Sequence, residues 1–192
     1  KAVTLKDDDQ LIGVSIVDED QNMIIGTHLG YAVSFKAADV RSMGRSASGV
    51  RGIRLRDNDY VIGVDLLNAD SKVFVISEHG FGKQTAAAEY PIKGRGGKGI
   101  KTVNVTEKNG PLVGLTTVDG DEDIMLVTNR GVIIRFGIET VSQTGRATVG
   151  VHLIKMDDQT KVATMAKVDK EAEADEETDQ SADTDTPAPV TD

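Results

Sequence analysis

Four glycine-marked positions recur through this chain in one fixed register. Gly13, Gly63 and Gly114 sit inside equivalent apolar runs, and Gly30, Gly80 and Gly131 sit in equivalent tight turns. Gly44-Arg45, Gly94-Arg95 and Gly145-Arg146 form a third landmark; Gly49-Val50, Gly99-Ile100 and Gly150-Val151 form a fourth. Each spacing is 50 residues between the first two copies and 51 between the second and third. A period of this size implies a repeat architecture, so the fold must be assembled unit by unit.

Each copy opens on a short apolar run: Leu11–Val17, Val61–Leu67 and Leu112–Leu115. These runs are too short and too β-branched for helices. A polar turn leads to a second run (Met23–Ile25, Val73–Ile76, Ile124–Val127), and a glycine turn to a third (Tyr31–Phe35, Phe81–Thr85, Val132–Phe136). Runs of this length between turn residues predict hairpins. A short link such as Ala37–Val40 follows, then the Gly/Arg loop, then an expected fourth strand at Val50–Leu55, Ile100–Val105 and Val151–Met156. Four antiparallel strands per unit of about 50 residues predict an all-β fold, a partial β-propeller or β-pinwheel of four-stranded blades. The first runs are apolar almost throughout, and the glycine inside them fits an inner strand where backbones crowd.

The ends extend the pattern. Leu5–Asp9 matches Leu55–Asp59, so the chain is expected to begin inside the last strand of an earlier repeat. Lys161–Val168 matches the first strand of a fourth copy. The expected organisation is a partial pinwheel over 1–169, with repeats at about 9–58, 59–108 and 109–158, a first strand of a further blade at 161–168, and a tail at 170–192. The chain is expected to be the C-terminal part of a longer ring.

Charge is unevenly placed. The formal net charge is −9, but residues 170–192 hold nine acids and one lysine, whereas residues 1–169 hold 22 acids and 21 bases. The tail has no large apolar residue except Val190 and is expected to be disordered. There is no cysteine, which excludes disulfides and thiolate metal sites and suits a reducing compartment. His28, His79 and His152 fall at different repeat positions without ligand spacing, so no metal site is expected. No apolar run of about 18 residues offers a membrane span.

The positive charge of the repeats gathers in three windows, 40–56, 90–106 and 140–156, which contain no Asp or Glu. They hold Arg41, Arg45, Arg51, Arg54 and Arg56; Lys93, Arg95, Lys98 and Lys101; and Arg146 and Lys155. Single surface bases are ordinarily just solvation. Three acid-free windows at one period are different: in stacked units they align along one edge and give a basic band. Such a band beside glycines that admit close approach is a footprint for a phosphate chain. Aromatic residues make up only 4% of the chain, which favours duplex DNA over single strands held by base stacking. Gly94–Gly99 also satisfies a bare G-x-G-x-x-G string, but the residues after it continue as strand, not as the helix a dinucleotide site needs. Lys98 is followed by Gly99, so the loop is not a Walker A motif. Asp119, Asp121, Glu122 and Asp123 lack calcium-loop spacing and fit a solvated turn.

Ser42–Ile53, Gly94–Thr102 and Glu122–Leu126, with the repeats around them, resemble the C-terminal domain of the bacterial DNA gyrase A subunit. The likeness runs over all three repeats and the start of the fourth, and the acidic tail is similar too. It implies a six-bladed β-pinwheel with a strand exchanged between neighbouring blades, of which this chain supplies roughly the second half. It also implies that duplex DNA bends around a basic outer rim and is presented to the cleavage core of an ATP-dependent type II topoisomerase, producing negative supercoils. The family's hallmark box reads Gln-Arg-Arg-Gly-Gly-Lys-Gly; Lys93–Gly99 agrees at five of seven places and resembles a later-blade variant, not the segment that nucleates the wrap.

The candidate DNA-binding residues are therefore Arg41, Arg45, Arg51, Arg54, Lys93, Arg95, Gly96, Gly97, Lys98, Lys101, Arg146 and Lys155, with no catalytic or metal residue in this segment. By resemblance, the catalytic tyrosine lies elsewhere, leaving Tyr31, Tyr60 and Tyr90 without that role, and ATP and Mg belong to other parts of an A2B2 assembly with the gyrase B subunit. The implied location is the bacterial cytoplasm, at the nucleoid. Binding should track the phosphate backbone, with a log K against log salt slope near −5 if about half of the eleven bases each contribute about −0.9. The tail is expected to compete with DNA for the band. Two rivals stay open: the paralogous subunit of topoisomerase IV, and a protein-binding propeller.

Overall fold

The structure, a computed structural model, describes residues 3–6, 9–157 and 159–170. The expected tail lies outside them, apart from Lys170. Eleven strands form three antiparallel sheets: β1 (Asn22–Thr27), β2 (Tyr31–Lys36), β3 (Val61–Leu66), β4 (Lys72–Ser77), β5 (Phe81–Ala86), β6 (Ile100–Lys101), β7 (Leu112–Val118), β8 (Glu122–Thr128), β9 (Ile133–Gly137), β10 (Val151–His152) and β11 (Val162–Asp169). Single 3-10 turns at Ala37–Asp39, Ala87–Glu89 and Ile138–Thr140 fill the link after each hairpin.

The sheets run β3-β1-β2-β6, β7-β4-β5-β10 and β11-β8-β9. Each is built on one hairpin of the second and third runs. Its inner strand is the first run of the next sequence copy, and its outer strand, where present, is the fourth run of that copy. The unit of the sheet is thus offset from the unit of the glycine repeat, and neighbouring repeats are tied through backbone ladders.

Two expectations need correction. Leu11–Val17 forms no strand and is largely exposed, with Val14 at 83% and Ile16 at 96%. Its counterparts β3, β7 and β11 each pair with the hairpin before them. Among the described residues no hairpin pairs with Leu11–Val17. The fourth strands are also shorter than expected: two residues at β6 and β10, and a single parallel bridge between Ile53 and Gly97 in place of the first. Beyond the ladder the segment bends over the hairpin turn, where Thr102 N donates to Gly30 O (2.8 Å) and Leu153 N to Gly80 O (2.9 Å).

Burial follows from the stacking. In β4, Val73 and Val75 face one cluster with Ile24, Leu67 and Leu115, while Phe74 and Ile76 face another with Ile124, Leu126 and Ile138. The middle sheet is therefore covered on both faces, which is why Val73–Ile76 reads as an unbroken apolar run. In β8 only alternate residues are fully buried, as suits a sheet covered on one face. The inner strands pack edge to edge. A Cβ on Gly63 would lie 2.6 Å from Leu115 O, so this approach demands glycine. Asp65 crosses the same gap: its Oδ2 accepts from Thr116 Oγ1 (2.7 Å) and Thr117 N (2.9 Å). Burial pushes the Asp65 carboxyl up, but these bonds, one from Leu66 N and the charge of Lys167 outweigh it and hold it below the ordinary carboxylate value.

Candidate nucleic-acid interface

Because β6 and β10 are outermost in their sheets, the windows 90–106 and 140–156 run along the edge farthest from the inner strands. Lys93 N donates to Ser34 O (2.8 Å), and the equivalent Thr144 N to Gln84 O (2.8 Å), fastening each Gly/Arg loop beside the hairpin. Gly99 sits at φ +72°, where an added Cβ would lie 2.8 Å from Ala32 O. A side chain there would lift the segment off the sheet.

The windows are also bonded to one another. Arg54 N donates to Gly97 O (2.8 Å), and the equivalent Asn104 N to Thr148 O (3.2 Å). The first junction adds Gly96 N to Gly52 O (2.5 Å) and Arg56 Nη1 to Lys98 O (2.8 Å). Window 40–56 thus joins window 90–106, which joins window 140–156, in one continuous backbone-linked band.

The candidate bases divide into two groups on this band. Arg41, Arg45, Arg51, Arg54, Lys93, Lys98 and Lys155 are exposed, and their side chains have no hydrogen bond or ion pair among the described residues. Lys101 is also exposed, with Nζ 3.3 Å from Asn104 Oδ1. Gly96 and Gly97 form the turn between Arg95 and Lys98 and carry no side chain to block approach; Gly97 meets nothing within 4 Å at its Cβ position. Arg95 and Arg146 are only half exposed and are engaged. Arg95 Nε donates to Asp39 O (2.8 Å) and Nη1 to Arg51 O (3.2 Å). Arg146 Nη1 donates to Lys101 O (3.1 Å), its backbone N to Glu89 Oε2 (3.1 Å), and its Nε lies 3.9 Å from that carboxylate.

One basic residue beneath the band escaped the sequence reading. Lys83, on β5, is fully buried, yet its Nζ lies beneath the third Gly/Arg loop and donates to Gly145 O (2.6 Å), Arg146 O (2.5 Å) and Thr148 Oγ1 (3.1 Å). Burial pushes its ammonium down to about 8; nearby Glu89 opposes that shift and Arg146 reinforces it. The signal was available: the equivalent residues are Val33 and Ile134, so a lysine stands where the repeat calls for an apolar side chain.

Arg56 and the tyrosines lie in packed or bonded positions. Tyr90 is buried, its hydroxyl 2.5 Å from Thr102 Oγ1. Arg56 stacks over Tyr31, and Tyr60 on His28. Among the described residues no three His, Asp or Glu side chains form a group suited to a metal ion.

A family model described as DNA gyrase C-terminal domain, beta-propeller, matches residues 1–18, 21–68, 71–119 and 122–169. The chain belongs to this DNA gyrase C-terminal domain family. The matched segments are cut in the acidic turns between first and second runs, so the last three each contain a hairpin and the inner strand that completes its sheet. Over 171 residues the chain is 64% identical to the DNA gyrase A subunit of Streptococcus pyogenes serotype M3, covering 89% of this chain and 21% of that protein. Over 170 residues it is 63% identical to the DNA gyrase A subunit of Halalkalibacterium halodurans, covering 88% and 20%. The chain therefore spans about a fifth of the length of these curated relatives. A solved DNA gyrase A C-terminal domain superposes with a TM-score of 0.80 at 26% identity, over 87% of this chain and 57% of that one. The C-terminal domain of DNA topoisomerase IV shares the fold, with a TM-score of 0.83 at 24% identity over 88% and 53%.

Proposed function

We propose that this chain is the DNA-wrapping part of a gyrase A subunit. It holds duplex DNA by its phosphates along the linked outer windows, so that an ATP-dependent type II topoisomerase introduces negative supercoils. The observation that carries this reading is the bonding of three acid-free windows into one band bearing exposed bases. The segment supplies no catalytic residue. The catalytic tyrosine and the ATP and Mg sites belong to the remainder of the gyrase A protein and to the B protein in an A2B2 assembly, and the setting is the bacterial cytoplasm.

The bases on offer are phosphate ligands without a reading helix, so binding is independent of sequence. If Arg41, Arg45, Arg51, Arg54, Lys93, Lys98 and Lys155 each meet one phosphate, the slope of log K against log salt is about −6, at about −0.9 per contact. Bending 20–30 base pairs by 40–90° costs about 1–6 kcal/mol, which a row of such contacts offsets. Within the intact A subunit, replacing Arg54 and Lys98 together by Gln should make that slope shallower by about 1.8 on any duplex sequence. An unchanged slope would refute the band. The reconstituted enzyme should supercoil relaxed DNA with ATP; decatenation without supercoiling would favour the topoisomerase IV role. The acidic tail is proposed to compete with DNA for the band, so deleting 170–192 should tighten binding at low salt.

A further inference from the structure

We infer that Arg95 and Arg146 are staples that set the spacing between successive windows, and so the path of a bound duplex, instead of serving as phosphate ligands. The inference rests on the DNA-binding reading above, but its geometry does not.

The two arginines make the same contact one repeat apart. Arg95 Nη1 donates to the carbonyl of Arg51, and Arg146 Nη1 to that of Lys101, which occupies the position of Arg51 in the next copy. Both also engage equivalent residues at the ends of the 3-10 turns: Arg95 the carbonyl of Asp39, Arg146 the carboxylate of Glu89. The Arg95 guanidinium therefore bridges its own loop, the preceding window and the turn beside the hairpin. The Arg146 guanidinium bonds the preceding window, while that residue's backbone N–H holds the turn's carboxylate, which lies 3.9 Å from Nε. The other candidate bases, exposed on the same band, make no such bridge. At Arg95 only a planar fork satisfies acceptors in two directions at once, and at Arg146 the same fork places an ion pair beside its hydrogen bond. A lysine keeps the charge but presents a single point, so it cannot hold both elements in register.

The consequence is mechanical. A duplex that touches one window needs only nearby bases, whereas one that bends across three needs the windows at a fixed separation. Loosening a staple leaves the local phosphate contacts in place and removes the template for the bend.

The experiment uses the intact A subunit with Arg95→Lys, Arg146→Lys and the double variant, beside Arg54→Gln as a phosphate-contact control. Short duplex binding is measured across a salt series, and wrapping by the linking-number shift trapped when nicked circles are ligated on the protein. Amide exchange of peptides containing Arg54 and Asn104, whose N–H groups cross the two junctions, is followed without DNA. The arginine-to-lysine variants should keep the wild-type salt slope, lose at least about half of the linking-number shift, and exchange those amides about tenfold faster. Arg54→Gln should make the slope shallower by about 0.9. Because lysine keeps the charge, Arg95→Gln is measured as well: a slope shallower by about 0.9 there would make Arg95 a phosphate ligand and overturn the inference, as would an undiminished linking-number shift in the arginine-to-lysine variants. If the wild-type protein shows no salt-dependent duplex binding, the DNA reading fails by itself. The exchange rates then still decide the staples: unchanged protection removes them.

Discussion

The loops Gly94–Gly99 and Gly145–Gly150 occupy the same place in consecutive repeats, yet they carry their positive charge in opposite ways. The first displays Arg95 and Lys98, with Lys93 just ahead, above Val33, and a cavity of about 200 Å³ lies between loop and strand. The second has one base of its own, Arg146, but Lys83 fills the space beneath it and binds two carbonyls and a hydroxyl. Counting bases along the chain ranks the third window as the weakest. Counting them in space gives it a third charge, fixed instead of flexible. Beyond the engaged Arg95, one loop presents Lys93 and Lys98 as exposed side chains; the other is held from beneath by a buried lysine.

The contrast fails most visibly if Lys83 is dispensable. Lys83→Met should cost about 3 kcal/mol, because three oxygens lose a charged donor and only part of that is returned by relief of the buried charge. A thermal midpoint equal to wild type would refute the buried support. Its pH dependence has a definite sign. The folded lysine, at about 8, binds fewer protons than the unfolded chain up to the ordinary 10.5, so wild type should gain stability over Lys83→Met as pH rises through that window. A falling difference would mean that the ammonium, not the amine, is the favoured form.

The inner edge provides an independent axis for the same comparison. Asp65→Asn should cost about 2 kcal/mol near neutral pH by weakening the bonds to Thr116 and Thr117. Asp65 lies below its ordinary value, so its contribution is complete above the unfolded pKa and vanishes as pH falls through the folded one. Acid titration of wild type against Asp65→Asn should therefore converge at low pH, whereas the lysine difference changes only on the alkaline side. Convergence at alkaline pH instead would misplace the effect.

Transplanting the support should fall short. Val33→Lys should cost about 1.5 kcal/mol: it loses packing on Phe35 and Ile53, enters a cavity lined by Lys93 and Lys98, and meets Gly97 where the third loop has Thr148. Adding Gly97→Thr should recover part of this, and chemical denaturation of both variants checks it; a gain from Val33→Lys alone would show that the loop carbonyls suffice. The smallest effect is Thr148→Val, about 1 kcal/mol, as a largely exposed hydroxyl loses its bonds to Lys83, Thr144 and Gly145 O, with faster exchange at the Thr148 amide.

Much of the fold was legible because stacking leaves its mark on patterning. Val73–Ile76 is continuously apolar and covered on both faces, while β8 alternates and is covered on one. Leu11–Val17 carries the same pattern and forms no strand, since periodicity records what a segment can bury, not whether it is paired. The windows were legible through the absence of acids. The division of labour among their bases was not: Arg95 and Arg54 look alike in sequence, and only the direction of the guanidinium separates them. Lys83 was readable only by laying the repeats over one another and asking why a charge replaces Val33 and Ile134.

Borrowing both edge strands from the following repeat also governs how such an array can change length. An insertion or excision bounded by the acidic turns near residues 18–20, 68–70 and 119–121 carries a hairpin together with the strand that seals it, so every flanking edge finds a substitute. A cut between positions out of register would divide hairpin from seal and leave one orphan at each side. Growth by whole, correctly phased units is thereby the one edit the ladder tolerates.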